Sequence, residues 1–297
     1  MKKKMPRNKG LLHNSRKLSA WSSFWRFPIV WLIAGAIGIT LIDTLFRQLT
    51  ERIEGTTSLV FTLMMGSLAI LVYKLTLTYL ARRSTPEISR QRAGMETVLG
   101  VLTGTLFITG SAVIIMALGG YSFQWAGSAD TSSVLISSIE TALGAAIVEE
   151  LIFRGLMFQA IDQLGGRALA LAVTSLFFGA AHLGNPGATL WSAFAIVLEA
   201  GILLGAAFLW RRSLWFAMGL HAAWNAIEGL LGLPVSGHSA AGLFTVKVNG
   251  AALLTGGDFG LEGSMVPVIV SLLISIPMLI GAGRNRRIEV GGLPVSK

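Results

Sequence analysis

The chain has 297 residues, 53% hydrophobic and 13% charged, against roughly 25% charged in soluble domains, so it reads as a polytopic membrane protein. Its net charge of +9 does not point to nucleic acid, because the basic residues gather at the ends of apolar segments, where they orient a membrane protein. It has no cysteine, which excludes disulfides, thiolate metal sites and a cysteine nucleophile.

Apolar segments long enough to cross a hydrocarbon core of roughly 30 Å fall near 27–46, 58–80, 95–119, 132–163, 167–184, 188–210, 214–232 and 264–282. The expectation is an all-α bundle of about eight transmembrane helices, without internal repeats. A basic tail occupies 1–26, a first group of helices 27–130, a second group 131–282, and a C-terminal tail 283–297. The first apolar run is about as long as a span needs and lacks a small-residue cleavage site, so it reads as a retained helix rather than a signal peptide. The fourth segment is too long for one perpendicular crossing and must tilt or protrude. With the N-terminus inside, the cytoplasmic segments carry 19 Lys and Arg, and the opposite side has three, Arg47, Arg52 and Lys247. Both termini are therefore expected in the cytoplasm.

Residues 148–155, Val-Glu-Glu-Leu-Ile-Phe-Arg-Gly, place two carboxylates and an arginine inside an apolar segment. Each ionised group at a bilayer centre costs about 3 kcal/mol on insertion scales, so such residues are a functional-site hypothesis by default. Glu149 and Glu150 point about 100° apart on a helix and are expected to take different roles. Arg154 lies one turn after Glu150, which makes Glu150–Arg154 the natural ion pair and leaves Glu149 to face elsewhere. Burial and a neighbouring cation tune a carboxyl in opposite directions, so the two are expected to differ in acidity, as acid–base chemistry requires. His182 ends Phe178-Gly-Ala-Ala-His182, whose small residues allow another helix to approach closely. His221 and Asn225 are four apart and share a face. Counting about 1.5 Å per residue from the cytoplasmic ends puts Glu149 and His182 about 20 Å deep and His221 about 12 Å.

These residues resemble the CPBP family of intramembrane proteases, which includes the type II CAAX prenyl endopeptidases and bacterial, bacteriocin-processing-like relatives. The resemblance rests on Glu149-Glu150-Leu-Ile-Phe-Arg154, Phe178-Gly-Ala-Ala-His182 and His221-Ala-Ala-Trp-Asn225, in the family's order. It continues through Leu233-Pro-Val-Ser-Gly and Thr255-Gly-Gly-Asp-Phe-Gly-Leu-Glu-Gly-Ser264, and covers about 130–270. It implies that 131–282 is a catalytic core hydrolysing a peptide bond in a membrane-embedded or membrane-adjacent protein or peptide. By carry-over, Glu149 and His182 polarise a water, His221 and Asn225 steady the oxyanion, and Glu150, Arg154 and Phe178 shape the site or engage substrate. The family is named as metalloproteases, and Glu149, His182 and His221 are candidate ligands for one zinc ion. A metal-free, glutamate-activated water uses the same residues and is the preferred reading. The classical His-Glu-x-x-His motif is absent. The implied setting is the lipid bilayer of a bacterial inner membrane, with no nucleic acid partner.

Other intramembrane polar residues are read as structural. Asp43 and Lys74 differ in depth and are not expected to pair, Glu140 and Glu228 are candidates for the cavity or an interface, and Glu199 is a candidate cavity residue. His238 reads as solvated and His13 as part of the basic tail. The rival functions are an ion- or proton-coupled transporter, which also uses intramembrane Glu, Arg and His, and a catalytically idle scaffold or immunity-type protein on the same fold.

Overall fold

The computed structural model describes residues 23–127 and 130–291. Most of the basic tail, with His13, and the last six residues lie outside the described residues. The chain forms α1 (Pro28–Thr50), α2 (Thr56–Leu75, continued by a π-helical turn Thr76–Leu80), α3 (Ala93–Ala117), β1 (Tyr121–Trp125) and α4 (Thr131–Glu150). A second π-helical stretch, Leu151–Met157, leads into α5 (Phe158–Ala181). Next come α6 (Leu190–Ile196), a third π stretch Val197–Ile202, α7 (Leu203–Arg211), α8 (Leu214–Leu231), β2 (Phe244–Val248), α9 (Ala252–Thr255) and α10 (Met265–Gly291).

The architecture is the expected all-α membrane bundle. Six stretches among the described residues are helices long and apolar enough to cross a membrane: 28–50, 56–80, 86–117, 131–184, 190–211 and 265–284. Two departures from the segment list have physical causes. The 131–184 stretch unites two expected segments and turns at Gly166, whose φ of 83° favours a residue without a Cβ. The expected 214–232 segment is present as α8 but is not among the six; it carries His221, Asn225 and Glu228, whose side chains lower its hydropathy. Leu41, Leu106, Leu190 and Leu273 turn outward at 64%, 74%, 83% and 65% exposure, an apolar exterior suited to lipid rather than water. The 190–211 stretch is instead 78% buried and forms the bundle's centre.

The helix α8 is fixed by an unusually close approach to α3. A Cβ on Gly100 would lie 2.2 Å from the Phe216 carbonyl oxygen, and one on Gly104 would lie 2.2 Å from that of Leu220. Gly100-Val-Leu-Thr-Gly104 is thus a small-xxx-small contact that brings two backbones together. Above it Phe107 meets Trp224 edge-on at 5.0 Å. Because α8 carries His221 and Asn225, this contact sets where those side chains sit.

The two ends of the bundle differ. At one end Arg83 donates to Glu87 at 2.9 Å and to Gln159 at 2.5 Å, Trp215 donates to the Ser89 carbonyl, and Arg211 pairs with Glu96 at 2.6 Å. Burial is the main influence lowering the Arg212 guanidinium's pKa, with Arg167 adding to it. At the other end β1 and β2 form an antiparallel ribbon, Tyr121 opposite Val248 and Trp125 opposite Phe244, a pairing between distant segments that hydropathy does not signal. There Asn185 donates to the Ser236 carbonyl at 3.0 Å, and Gly237 N–H donates to Phe259 O at 2.8 Å, tying the 235–240 loop down.

Candidate active site

The helix α4 ends on Glu150, and the ladder widens at once into the Leu151–Met157 π stretch. Such bulges occur disproportionately at functional sites, where they re-aim side chains. The two carboxylates part as helical geometry demands. Glu150 has no exposed side-chain surface, whereas Glu149 is 30% exposed. Arg154 Nη1 donates to Glu150 Oε1 at 2.8 Å, and its Nη2 donates to the Ala200 carbonyl at 2.9 Å. Its guanidinium lies 4.5 Å over the Phe178 ring, a cation–π contact that a desolvated site strengthens.

His221 closes the set from α8. Its Nδ1 lies 3.0 Å from Glu150 Oε1, so Glu150 bridges Arg154 and His221. The other nitrogen, Nε2, faces Glu149 Oε2 at 3.8 Å. That oxygen is buried without a hydrogen-bond partner. Such an atom is costly enough to need an explanation, and catalysis is one. His182 stands at the end of α5, where its Nδ1 lies 2.7 Å from the Phe178 carbonyl. A carbonyl only accepts, so Nδ1 is the donor in this contact, and Nε2 is the ring nitrogen left to act as a lone-pair base. Phe178 packs between the histidines, 4.9 Å from the His182 ring and 6.1 Å from that of His221.

A cavity of about 440 Å³ opens beside these residues. Glu149, His182 and Asn225 line it, together with Phe153, Asn185 and His238. Glu150, Arg154, Phe178 and His221 are not on its wall; they form the layer behind. Asn225 Oδ1 is buried and unpartnered, which leaves the amide NH₂ as the group able to donate toward the cavity. Among the described residues no three His, Cys, Asp or Glu side chains form a group able to hold a metal ion. As placed, Glu149, His182 and His221 do not fit a zinc set.

Several expectations on depth and placement change. His221 reaches Glu150 although α8 starts at Leu214, because Gln159 already touches Arg83 at the basic end. Counted from Gln159, Glu150 is about 14 Å deep, matching His221 at about 12 Å. Glu199 is wholly buried but does not line the cavity. Glu228 is also behind the wall, accepting from Trp224 Nε1 at 3.1 Å. Glu140 accepts from Ser58 at 2.5 Å at the contact of α2 with α4, and Asp43 pairs with Arg47 at 2.8 Å. His238 is exposed, on the cavity rim. Asn185 and the 235–240 loop, which the sequence marked only through the family resemblance or as an outer loop, line the cavity, and the residues it did not single out are Gly100 and Gly104. The Gly-x-x-x-Gly spacing was the available signal for that pair.

Residues 131–227, from the start of α4 into α8, match the family model for Rce1-like proteins, type II CAAX prenyl endopeptidase Rce1-like. The match contains Glu149, Glu150, Arg154, Phe178, His182, His221 and Asn225 and ends before the 235–240 loop. Comparison with curated proteins and with solved structures finds no match. The matched family is one of intramembrane CAAX-type proteases, and the match spans a segment well short of half the chain; the six long apolar helices make the chain an integral, multi-pass membrane protein.

Proposed function

Taking the Rce1-like segment as the premise, we propose that this protein is an endopeptidase that hydrolyses a membrane-embedded or membrane-adjacent peptide bond with a water activated by Glu149 and His182. The observation that carries the reading is that a carboxylate, an imidazole with a free Nε2 and an amide donor share one cavity wall inside an apolar bundle. Glu149 takes a proton from the water as its oxygen attacks the scissile carbonyl carbon, with His182 Nε2 accepting the water's second hydrogen bond. The carbonyl oxygen becomes an oxyanion, which Asn225 stabilises by donation. A donor of this kind is worth about 3–4 kcal/mol in acyl transfer. His221 stands behind the cavity wall, held through Nδ1 by Glu150, and its Nε2 faces Glu149 Oε2 at 3.8 Å, orienting that carboxylate rather than donating to the oxyanion. Glu149 then delivers its proton to the leaving amine nitrogen as the C–N bond breaks. Arg154 and Phe178 hold Glu150 and the two imidazoles in place, a supporting layer that fixes ring orientation.

We propose that the catalytic unit comprises 131–282, with 27–130 as supporting helices, and that the site works within a bilayer. The test is Glu149→Gln in reconstituted protein. A near-isosteric amide cannot act as a base, and general-base catalysis is typically worth about 10²–10⁴-fold. Cleavage should fall by at least that factor while detergent-solubilised yield and helicity stay at the wild-type level. Wild-type cleavage by the folded variant would remove Glu149 from the mechanism.

A further inference from the structure

We infer that the catalytic cavity is entered from the non-cytoplasmic face of the membrane, so that the substrate is a polypeptide segment presented on that side. The mouth is built from one end of the bundle. Arg47 lies near the C-terminal end of α1, Ser137 and Ser138 near the start of α4, Gly229 near the end of α8, and His238 to Ala240 in the loop beyond it. Arg47, Ser137 and the 238–240 stretch are exposed. From Ser138 the cavity wall runs along α4 through Ala142 and Ala145 to Glu149, about 16 Å by helical rise.

Toward the opposite end the way is shut. Directly beyond Glu149 and Glu150 stand Leu151, Arg154, Leu156 and Phe158, all at 1% exposure or less. Beyond them Gln159 and Tyr73 donate hydrogen bonds that close the space around Glu87 and the Gly155 carbonyl. That closed end is also the basic end. Arg83, Arg90, Arg92, Arg167, Arg211 and Arg212 follow or precede the helices there, whereas the cavity end has Arg47, Arg52 and Lys247. Lysine and arginine are retained on the cytoplasmic side. Sealed floor and basic end therefore coincide in the cytoplasm, and the open mouth faces the other compartment. The 235–240 loop, tied to Asn185 and Phe259, forms part of the mouth as a fixed rim.

The statement about the mouth stands on geometry and charge; only the statement about substrate rests on the proteolytic reading. Because the chain has no cysteine, a single introduced thiol reports its own location. Ser239→Cys marks the rim, Ala145→Cys the cavity wall one turn before Glu149, and Arg90→Cys the basic end. Each is treated with a membrane-impermeant maleimide in sealed right-side-out and inverted vesicles, with detergent-opened vesicles as the reference. The expected result is that Ser239→Cys and Ala145→Cys react in right-side-out vesicles and lose labelling in inverted ones, with Arg90→Cys showing the reverse. Reaction of Ala145→Cys in inverted vesicles alone, or of either cavity thiol only after detergent, overturns the inference. The second arm adds a defined mixture of unmodified peptides outside the same vesicles and reads products by mass spectrometry. Cleavage in right-side-out vesicles alone supports it, and cleavage in inverted vesicles alone overturns it. Absence of cleavage in either, with the labelling pattern intact, counts against the proteolytic reading and leaves the mouth where the thiols place it.

Discussion

Replacing Arg154 by Met removes a charge that is 1% exposed while keeping a long apolar side chain over Phe178. The change strands Glu150, which has no exposed surface and then keeps only the His221 Nδ1 contact at 3.0 Å. Breaking a buried pair from one side costs about 3–5 kcal/mol, because the remaining charge has neither water nor partner. Glu150→Gln is milder in this respect, since the amide oxygen can still accept from the guanidinium while Arg154 keeps its 2.9 Å bond to Ala200 O. In the double variant neither charge is stranded. The Ala200 carbonyl loses its donor in both Arg154→Met and the double variant, so that loss cancels from the cycle and the remainder reports the pair. The double variant should be more stable than the sum of the singles by about 1–3 kcal/mol, and each 1.4 kcal/mol is a tenfold change in the unfolding constant. Equilibrium unfolding in mixed detergent–SDS micelles, followed by the fluorescence of the eight tryptophans, measures it. Strict additivity would show that the 2.8 Å contact contributes nothing to the folded state.

Three further outcomes follow from the geometry. Asn225→Ala should lower kcat by about 10²–10³-fold with little change in KM, the signature of a donor acting on the oxyanion; a loss confined to KM would reassign it to substrate binding. Gly104→Leu should cut both stability and activity, because its side chain would begin 2.2 Å from the Leu220 carbonyl oxygen and push α8, with His221 and Asn225, away from Glu150. Unchanged thermal aggregation and turnover would show that α3 and α8 are not locked as described. Finally, His182→Ala and His221→Ala should each lower turnover without changing the metal content of purified protein. Stoichiometric zinc lost in both variants, with activity abolished by chelation and restored by zinc, would replace the direct water-activation scheme with a metal-bound one.

The spacing of charges in the sequence decided the Glu150–Arg154 pair, because an i, i+4 contact is a local property of any helix. The separation of Glu149 from Glu150 followed from the same local geometry, and the membrane bundle from long apolar runs that only lipid accommodates. What joins different helices was not legible. The π stretch after Glu150, the bridge from Glu150 to His221 and the burial of Glu199 behind the cavity wall depend on how α4, the central 190–211 stretch and α8 pack, and local periodicity carries no information about that registry. Depth counting placed His221 above Glu149 because it took the end of an apolar run for the membrane surface, whereas α5 runs past the Arg83–Gln159 contact before it turns at Gly166. The β1–β2 ribbon joins residues more than a hundred positions apart, and only the closed bundle brings those edges within hydrogen-bonding reach. The chemistry-bearing residue types were written in the chain; which of them face the cavity and which stand behind it was decided by helix–helix contact.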